Sequence, residues 1–223
     1  MEIYCIIPAR GGSKGVPRKN VLPFLGQPLI THSIQYAKSS DLVTRVFVST
    51  DDEEISTIST DAGADIITRP AEISGDTATT EAAIEHALSW WQEHELRPDI
   101  IVLLQATSPV RPNGSLDEAL KKFQAQGNDS MLSLSPTHRF FWTLNGNRAS
   151  AGYDYLNRPR RQDMVNSDIR YVENGSVYIF TRDHFQSTGN RLGGDIGYIV
   201  FPEEYGIEID TEADFTLLET IHK

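Results

Sequence analysis

The chain has 223 residues, of which 39% are hydrophobic and 23% charged, and its formal net charge is -11. A chain of this length can form its own hydrophobic core, so we expect a single domain that spans residues 1–223. The negative net charge argues against nucleic acid or an anionic membrane surface as a partner. The first residues lack the basic and apolar regions of a signal peptide, and the single Cys5 cannot form an internal disulfide, so we expect a cytoplasmic protein.

Strands and helices are predicted to alternate over the first 135 residues. Strands are predicted at 2–8, 45–49, 64–68, 99–105 and 130–135. Helices are predicted at 28–39, 52–62, 79–95 and 115–126, the third of them capped by Asp76 or Thr77. The first strand is apolar on both faces, as strands are when helices cover both sides of a sheet. The alternation predicts an α/β fold with a mostly parallel sheet.

The alternation ends after Pro136. Residues 138–170 show neither the helical nor the strand period, and they contain six Arg against three Asp. A stretch of this length without regular structure is typically functional or contributed to a partner subunit. Strands are predicted again at 171–180 and 197–201, followed by Glu-Ile-Asp at 208–210 and a helix from about residue 211.

The segment that follows the first strand carries the strongest signal of a binding site. Residues 8–20 read PARGGSKGVPRKN, with Arg10, Lys14, Arg18 and Lys19 and no acid. Glycines let backbone N–H groups approach an anion closely, and ligands of open sheets bind at the carboxyl ends of strands. The loop therefore predicts a multiply charged anionic ligand, with a solvated turn as the alternative. Its spacing fits neither the dinucleotide fingerprint nor the P-loop.

The stretch IIPARGGSKGVPRKN at 6–20 resembles the signature of CMP-sialic acid synthetases, also called acylneuraminate cytidylyltransferases. Further matches follow in order: GDTATT at 75–80, LLQATSP at 103–109, RPRRQ at 158–162, ENGSVY at 173–178 and EID at 208–210. The resemblance implies a Rossmann-like fold of the nucleotide-diphospho-sugar transferase type. It also implies transfer of CMP from CTP, with Mg²⁺, to the anomeric hydroxyl of a nine-carbon 2-keto acid sugar, releasing pyrophosphate. N-acetylneuraminic, legionaminic and pseudaminic acids are such acceptors, and the choice among them stays open.

The resemblance assigns the basic loop to CTP. Arg10, Lys14 and Lys19 would neutralise the triphosphate and the departing pyrophosphate as catalytic groups, since charge neutralisation is a main task in such a transfer. The residues implied to bind the nucleotide are Arg10, Gly11, Gly12, Ser13, Lys14, Lys19, Asn20, Asp76, Thr79 and Thr80. Helix capping is the alternative role for Asp76.

The resemblance places Gln105, Asn174 and Tyr178 against the sugar acid. From the residues alone, each has a simpler interpretation. Gln105 would be a solvated strand end, Asn174 and Gly175 would form a hairpin turn, and Tyr178 would be structural.

Glu208 and Asp210 are one residue apart at a predicted strand end, so their side chains share a face. Two carboxylates on one face suit a hard cation such as Mg²⁺, and two solvated edge carboxylates are the alternative. The family usually has Asp-Ile-Asp here, which makes Asp210 the firmer metal ligand and a catalytic residue. Asp214 fits better as a charge in the first turn of the last helix.

In the related enzymes the region that matches 138–170 is an arm that reaches into the neighbouring subunit. The resemblance therefore implies a homodimer with exchanged arms, in which Arg160 contacts the ligand bound by the partner subunit. The alternative is a solvated loop whose arginines pair with Asp163 and Asp168.

Three other functions stay open at this point. One is cytidylyl transfer to the eight-carbon acid Kdo, whose enzymes look different after the strand that ends at Gln105. Another is a sugar-1-phosphate nucleotidylyltransferase, whose loop normally carries a Gly-x-Gly-x-Arg pattern that 11–19 does not reproduce. The last is a non-catalytic nucleotide-binding module, which would suit loss of the metal carboxylates, although Asp210 is present.

Overall fold

A computed structural model describes residues 1–13, 15–165 and 168–222. The strands are β1 (Ile3–Pro8), β2 (Pro23–Phe24), β3 (Gln27–Pro28), β4 (Arg45–Thr50), β5 (Asp65–Thr68), β6 (Ile100–Leu104), β7 (Ser130–Thr137), β8 (Trp142–Asn145), β9 (Arg148–Ala151), β10 (Arg170–Thr181) and β11 (Ile196–Val200). The helices are α1 (Leu29–Lys38), α2 (Glu53–Asp61), α3 (Thr80–Glu93), α4 (Ser115–Gln126), α5 (Arg182–Thr188) and α6 (Glu212–His222). None of the helices in these ranges is long and apolar enough to cross a bilayer.

Seven of the strands form one sheet in the order β11-β7-β10-β6-β1-β4-β5. Neighbouring strands are parallel except where β10 pairs with β6 and β7. The predicted mostly parallel α/β sheet is thus confirmed. Antiparallel neighbours need no crossover helix, which explains why the alternation of strands and helices stops between β7 and β10.

Helices cover both faces of the sheet, and β1 lies in its centre. Cys5 and Ile7 point to one face, where they pack in a cluster with Ile34 of α1. Tyr4 points to the other face, where its ring lies 5.5 Å from that of Trp91 in α3. Because both faces are covered, β1 is apolar on both, as its sequence predicts.

The structure corrects the predicted start of the third helix. Its N-cap is Thr79, whose hydroxyl accepts a hydrogen bond from the backbone N–H of Ala82 at 3.1 Å. The extended backbone of Thr79 brings its side chain to that N–H, whereas Asp76 and Thr77 lie in the preceding turn. Helix α5 was not predicted, because seven residues are too few to show a helical period.

The segment 138–170 leaves the sheet between β7 and β10 and is more ordered than its sequence predicts. It contains the hairpin β8–β9, in which Trp142 pairs with Ala151. The hairpin makes a separate two-stranded sheet. Its large side chains are exposed, Leu144 to 77%, since they face neither layer of helices.

Candidate active site

A cavity of about 410 Å³ opens at the carboxyl ends of β1 and β6. The strand order runs in opposite directions on the two sides of β1, and ligands of open α/β sheets bind at such a point. The cavity is lined by Pro8, Arg10, Ser13, Gly15, Lys19, Asn20, Thr80, Gln105, Ala106, Thr107, Glu208 and Asp210. Most of these residues are ones that the sequence analysis assigned to a site.

The basic loop is held against the segment that precedes α3. The Nη1 of Arg10 donates to the carbonyl of Gly75 at 2.8 Å and lies 3.2 Å from a carboxylate oxygen of Asp76. The side-chain Nδ2 of Asn20 donates to the Arg10 carbonyl at 3.1 Å. Asp76 therefore pairs with a cation of the loop instead of capping the helix, and Thr80, at the first turn of α3, lines the cavity.

Lys19 joins the loop to the C-terminal part of the chain. Its buried ammonium donates to the Ile209 carbonyl at 2.5 Å and to the Asp210 carboxylate at 3.3 Å. A Cβ on Gly15 would lie 2.1 Å from the Asp210 carbonyl oxygen, so no side chain fits there. The loop and the segment 208–210 thus form one wall of the cavity.

Glu208 and Asp210 both line the cavity, although residues 208–210 are irregular and do not form the predicted strand end. Burial raises the pKa of Glu208, and the nearby charges of Asp210 and Glu173 raise it further. Lys19 and a hydrogen bond with Thr107 offset part of this shift.

The two carboxylates fit a hard cation that arrives with a ligand. In the described residues no group of three or more His, Cys, Asp or Glu side chains is suited to hold a metal. Mg²⁺ is commonly bound by one or two carboxylates together with substrate phosphates, and the charge that raises the pKa of Glu208 is what a cation would offset.

Gln105 reaches the cavity directly beyond β6, next to an irregularity in β10. The register of β10 on β7 shifts between Glu173 and Tyr178, and Gly175 inside the shift has a φ of +64°. A Cβ on Gly175 would lie 2.4 Å from Oε1 of Gln105 and 2.6 Å from Oε1 of Glu208. Asn174 and Gly175 therefore form a bulge within a long strand and not a hairpin turn.

Asn174 and Tyr178 lie behind the cavity wall. The Oδ1 of Asn174 accepts from the Ser133 hydroxyl at 2.5 Å, and its Nδ2 donates to the Ser135 hydroxyl at 3.0 Å. The Tyr178 hydroxyl donates to Glu173, and burial together with this carboxylate raises the tyrosine pKa. Neither residue lines the cavity in this structure, and their contact with a sugar acid stays a prediction.

The remaining predicted residues lie at the edge of the cavity or away from it. Gly11 donates its N–H to Asp51 at 3.1 Å, and neither Gly11 nor Gly12 lines the cavity. Thr79 is occupied as the cap of α3. Lys14 lies outside the described residues, and its predicted role stays a prediction.

Arg160 belongs to the 138–170 segment and lies in a different place. Its Nε donates to Asp163 at 2.5 Å, the pairing that the solvated-loop alternative predicts. It also lines a second cavity, of about 790 Å³, whose walls are aromatic and cationic: His138, Arg139, Phe140, Trp142, Tyr153, Arg158, Pro159, Arg160, Arg161 and Met164. Within one chain, Arg160 is not part of the cavity at β1 and β6.

Four lining residues were not assigned to the site from the sequence: Pro8, Gly15, Ala106 and Thr107. Pro8 ends β1 and Thr107 follows Gln105 in the motif that ends β6. Their position beside assigned residues at strand ends was the available signal. Gly15 was indicated as one of the glycines of the anion-binding loop, but its close approach to the distant Asp210 backbone could not be predicted from the sequence.

Comparisons with known proteins agree with this geometry. The cytidylyltransferase family model matches residues 4–188. N-acylneuraminate cytidylyltransferase B of Danio rerio is 36% identical over 96% of this chain and 50% of its own length, and the N-acylneuraminate cytidylyltransferase of Escherichia coli is 30% identical over 100% and 52%. The chain spans about half the length of these curated relatives. The pseudaminic acid cytidylyltransferase of Campylobacter jejuni is 30% identical over 100% of this chain and 97% of its own.

Among solved structures, the fold is similar to that of CMP:2-keto-3-deoxy-manno-octonic acid synthetase complexed with CTP. The TM-score is 0.71 at 18% identity, over 100% of this chain and 98% of that one. The 4-diphosphocytidyl-2C-methyl-D-erythritol synthase from Anaerococcus prevotii gives a TM-score of 0.67 at 11% identity, over 99% and 98%. At these identities the likeness establishes the fold alone.

Proposed function

The chain belongs to the cytidylyltransferase family, and from this we propose that it transfers CMP from CTP to the anomeric hydroxyl of a nine-carbon 2-keto acid sugar. The observation that carries the proposal is the cavity in which Arg10 and Lys19 stand on the same wall as Glu208 and Asp210. Such a site offers cations to phosphates and carboxylates to a metal ion. The names of the relatives, which include N-acylneuraminate and pseudaminic acid cytidylyltransferases, support this acceptor class.

In the proposed reaction the anomeric oxygen forms a bond to the α-phosphorus of CTP. The bond between that phosphorus and the oxygen that bridges to the β-phosphate breaks, pyrophosphate leaves, and the hydroxyl proton is released. Arg10 and Lys19 hold the phosphates and neutralise the charge that grows on the leaving group, with Lys14 as a further cation.

The cytosine and ribose are proposed to lie against the segment 76–80 and the loop. Thr80 is better placed for this than Thr79, because Thr80 lines the cavity while the hydroxyl of Thr79 caps α3. Ser13 and Asn20, which belong to the loop, also line the cavity. Asp76 acts through its pairing with Arg10. Gly12 is proposed to leave its backbone open to the phosphates, whereas a Cβ on Gly11 would lie 2.6 Å from Oδ2 of Asp52, so Gly11 lets the loop approach that carboxylate.

Asp210 and Glu208 would hold Mg²⁺, which when bound offsets phosphate charge as a Lewis acid. Gln105 is proposed to contact the sugar acid, since it lines the cavity directly beyond β6. Asn174 is proposed to act indirectly, because its hydrogen bonds with the Ser133 and Ser135 hydroxyls fix the β10 bulge beside Gln105.

We also propose a homodimer that exchanges the 138–170 arm. The arm exposes large apolar side chains that a partner would cover, namely Phe141, Trp142, Leu144, Tyr155 and Leu156. In this arrangement Arg160 enters the partner's site. We also propose a cytoplasmic location, because the buried thiol of Cys5 is free and a free thiol is typical of a reducing compartment.

The test is pyrophosphate release with purified protein, each of four nucleoside triphosphates and a panel of acceptors. We expect turnover with CTP, a divalent cation and at least one of N-acetylneuraminic, legionaminic and pseudaminic acids, and none after chelation of the metal. Faster turnover with Kdo, or equal rates with ATP, GTP or UTP, would contradict the proposed specificity. CTP binding without turnover on any acceptor would favour the non-catalytic module.

A further inference from the structure

Arg111 is a buried cation in the turn that follows β6, outside the cavity. It is 6% exposed. Its Nη2 donates to the carbonyls of Gln105 at 2.8 Å and Ser176 at 3.1 Å, and its Nη1 donates to the Ser33 hydroxyl at 3.0 Å. Its Nε also donates to Ser176, at 3.3 Å, and the guanidinium lies 5.1 Å from the ring centre of Tyr36. Among the described residues it forms no salt bridge with a carboxylate.

Burying a cation without a carboxylate partner is costly, and an apolar residue of similar size would cost less. Burial lowers the pKa of Arg111 to about 10, so the side chain stays charged at neutral pH. The carbonyl oxygens that surround it replace part of its lost hydration. The role of Arg111 is therefore to be sought in the groups that its guanidinium binds.

Those atoms lie where two strands separate. The ladder between β6 and β10 ends at the pair Leu104 and Val177. Gln105 and Ser176 are the next residues outward on each strand, and Arg111 binds the carbonyl of both. The guanidinium thus bridges the two strands directly beyond their last pair. Next to Ser176 is Gly175, which packs against the side chains of Gln105 and Glu208.

We propose that Arg111 is a positioning residue for the acceptor half of the active site. By holding Gln105 and Ser176 together it sets the Gln105 amide and the Gly175 bulge against Glu208, and so shapes the space for the sugar acid. It does not hydrogen-bond to any described residue of the loop 10–20, which is proposed to hold the triphosphate, and it reaches Glu208 indirectly, through the Gly175 bulge. The identity of the acceptor in this inference rests on the proposed function.

The first test separates the two substrates kinetically. Arg111→Met removes the charge and every hydrogen bond, and we expect it to lower kcat/KM for the sugar acid by about 10²-fold, through a higher KM and a lower kcat. The KM for CTP should stay within about threefold of the parent value. Arg111→Lys should recover only part of the loss, because one ammonium lacks the fork that binds several acceptors. The matched control is Arg45→Met, which replaces a half-buried arginine that lies outside the cavity and pairs with Asp65 at 2.8 Å, and it should change neither KM.

A purely structural role would reduce the amount of active protein and lower kcat without a difference between the two KM values. That result, or an equal rise in both KM values, would overturn the inference. If Arg111→Met does not fold, Ser33→Ala removes a single partner of the guanidinium and should shift the KM for the sugar acid alone, by a smaller factor. An unchanged KM in Ser33→Ala would then overturn the inference.

The second test does not depend on turnover. Hydrogen–deuterium exchange should become faster in Arg111→Met at residues 104–108 and 174–178 and stay unchanged in the loop 15–20, while Arg45→Met should match the parent throughout. If the parent protein shows no cytidylyl transfer, the proposed function fails, whereas the exchange pattern still decides whether Arg111 holds the two strands. Unchanged exchange at both segments would overturn the positioning role.

Discussion

At the scale of single residues, Lys19 both lines the cavity and binds the C-terminal segment 209–210. Its ammonium is available to the cavity, and it also binds the Ile209 carbonyl and the Asp210 carboxylate. The Asp210 side chain is 73% exposed, so its attraction to Lys19 is screened by water and contributes little to stability. The carbonyl bond is the buried one. Lys19 is thus both a phosphate ligand in the proposed reaction and a link to the C-terminal segment.

Lys19→Ala should lower kcat/KM by about 10²-fold or more, because it removes a positive charge from the site of the departing pyrophosphate. The measurement is pyrophosphate release at saturating and limiting CTP, with thermal melting as the check on folding. Lys122→Ala is the control, since Lys122 does not line the cavity and, among the hydrogen bonds of the described chain, donates only to the Tyr198 carbonyl. Activity within about threefold of the parent at an unchanged melting temperature would return Lys19 to a structural role.

Glu208 makes the free energy of unfolding depend on pH, and the direction of that dependence follows from its raised pKa. Its folded-state pKa is raised above 4.5 by burial and by Asp210, so the folded state binds the proton more tightly than the unfolded chain does. Its contribution to stability is fully present below the unfolded pKa and is lost as the pH rises through the raised value. In chelated buffer, Glu208→Gln should therefore raise the free energy of unfolding at pH 7 and change it little at pH 4.

The measurement for Glu208 is urea unfolding at several pH values between 4 and 7. Glu204→Gln serves as the control because Glu204 is an exposed carboxylate near the same segment. Equal effects of the two substitutions at pH 7 would show that Glu208 is not destabilised by its surroundings.

At the scale of elements, β10 has the largest influence on the site. It is antiparallel to both neighbours, and its bulge carries Gly175 into contact distance of Gln105 and Glu208. A regular strand would turn the residues of this region alternately to the two faces of the sheet and would leave no such approach. The bulge is held by Asn174 on one side and by Arg111 on the other. An interior strand of the sheet, lying between β7 and β6, thereby also shapes the cavity.

At the scale of the whole molecule, the segment 138–170 between β7 and β10 concentrates positive charge in an acidic chain. Its six Arg and three Asp give +3 in a chain of -11. In the isolated chain Arg160 pairs with Asp163, and the aromatic side chains of Phe141, Trp142 and Tyr155 remain exposed. In the proposed dimer, two-fold pairing covers this surface and Arg160 lies at the partner's cavity.

The proposed arm exchange predicts that Arg160 acts in trans. Arg160→Ala and Lys19→Ala subunits should each be inactive alone. In a mixed dimer one site collects both lesions and the other collects none, so subunit exchange should restore up to about half of the parent activity per mixed dimer. The control mixes Lys19→Ala with Asp210→Ala, whose lesions lie in the same chain's site, and should restore nothing. No recovery in proven mixed dimers of the first pair would place Arg160 outside the partner's site.

The sequence by itself determined the parts of this protein that depend on local pattern. The apolar run of β1, the glycines and cations of the loop and the polar end of β6 at Gln105 each report which groups are buried and which face a ligand, because side-chain period and strand ends are local properties. These features were sufficient to predict a mostly parallel α/β fold and an anion-binding loop at the end of β1, whereas the resemblance to known enzymes supplied most of the other residues that line the cavity.

Only the tertiary structure decided how distant segments meet. Lys19 binds the Ile209 carbonyl across 190 positions of the chain, and Gly175 lies against Gln105 and Glu208. Asp76 pairs with Arg10 while Thr79 caps α3, although both residue types are good caps. Local pattern shows that a residue is suited to a role, but strand order and close approach determine which partner it finds. That is the physical reason why the walls of the cavity were predictable and their contacts were not.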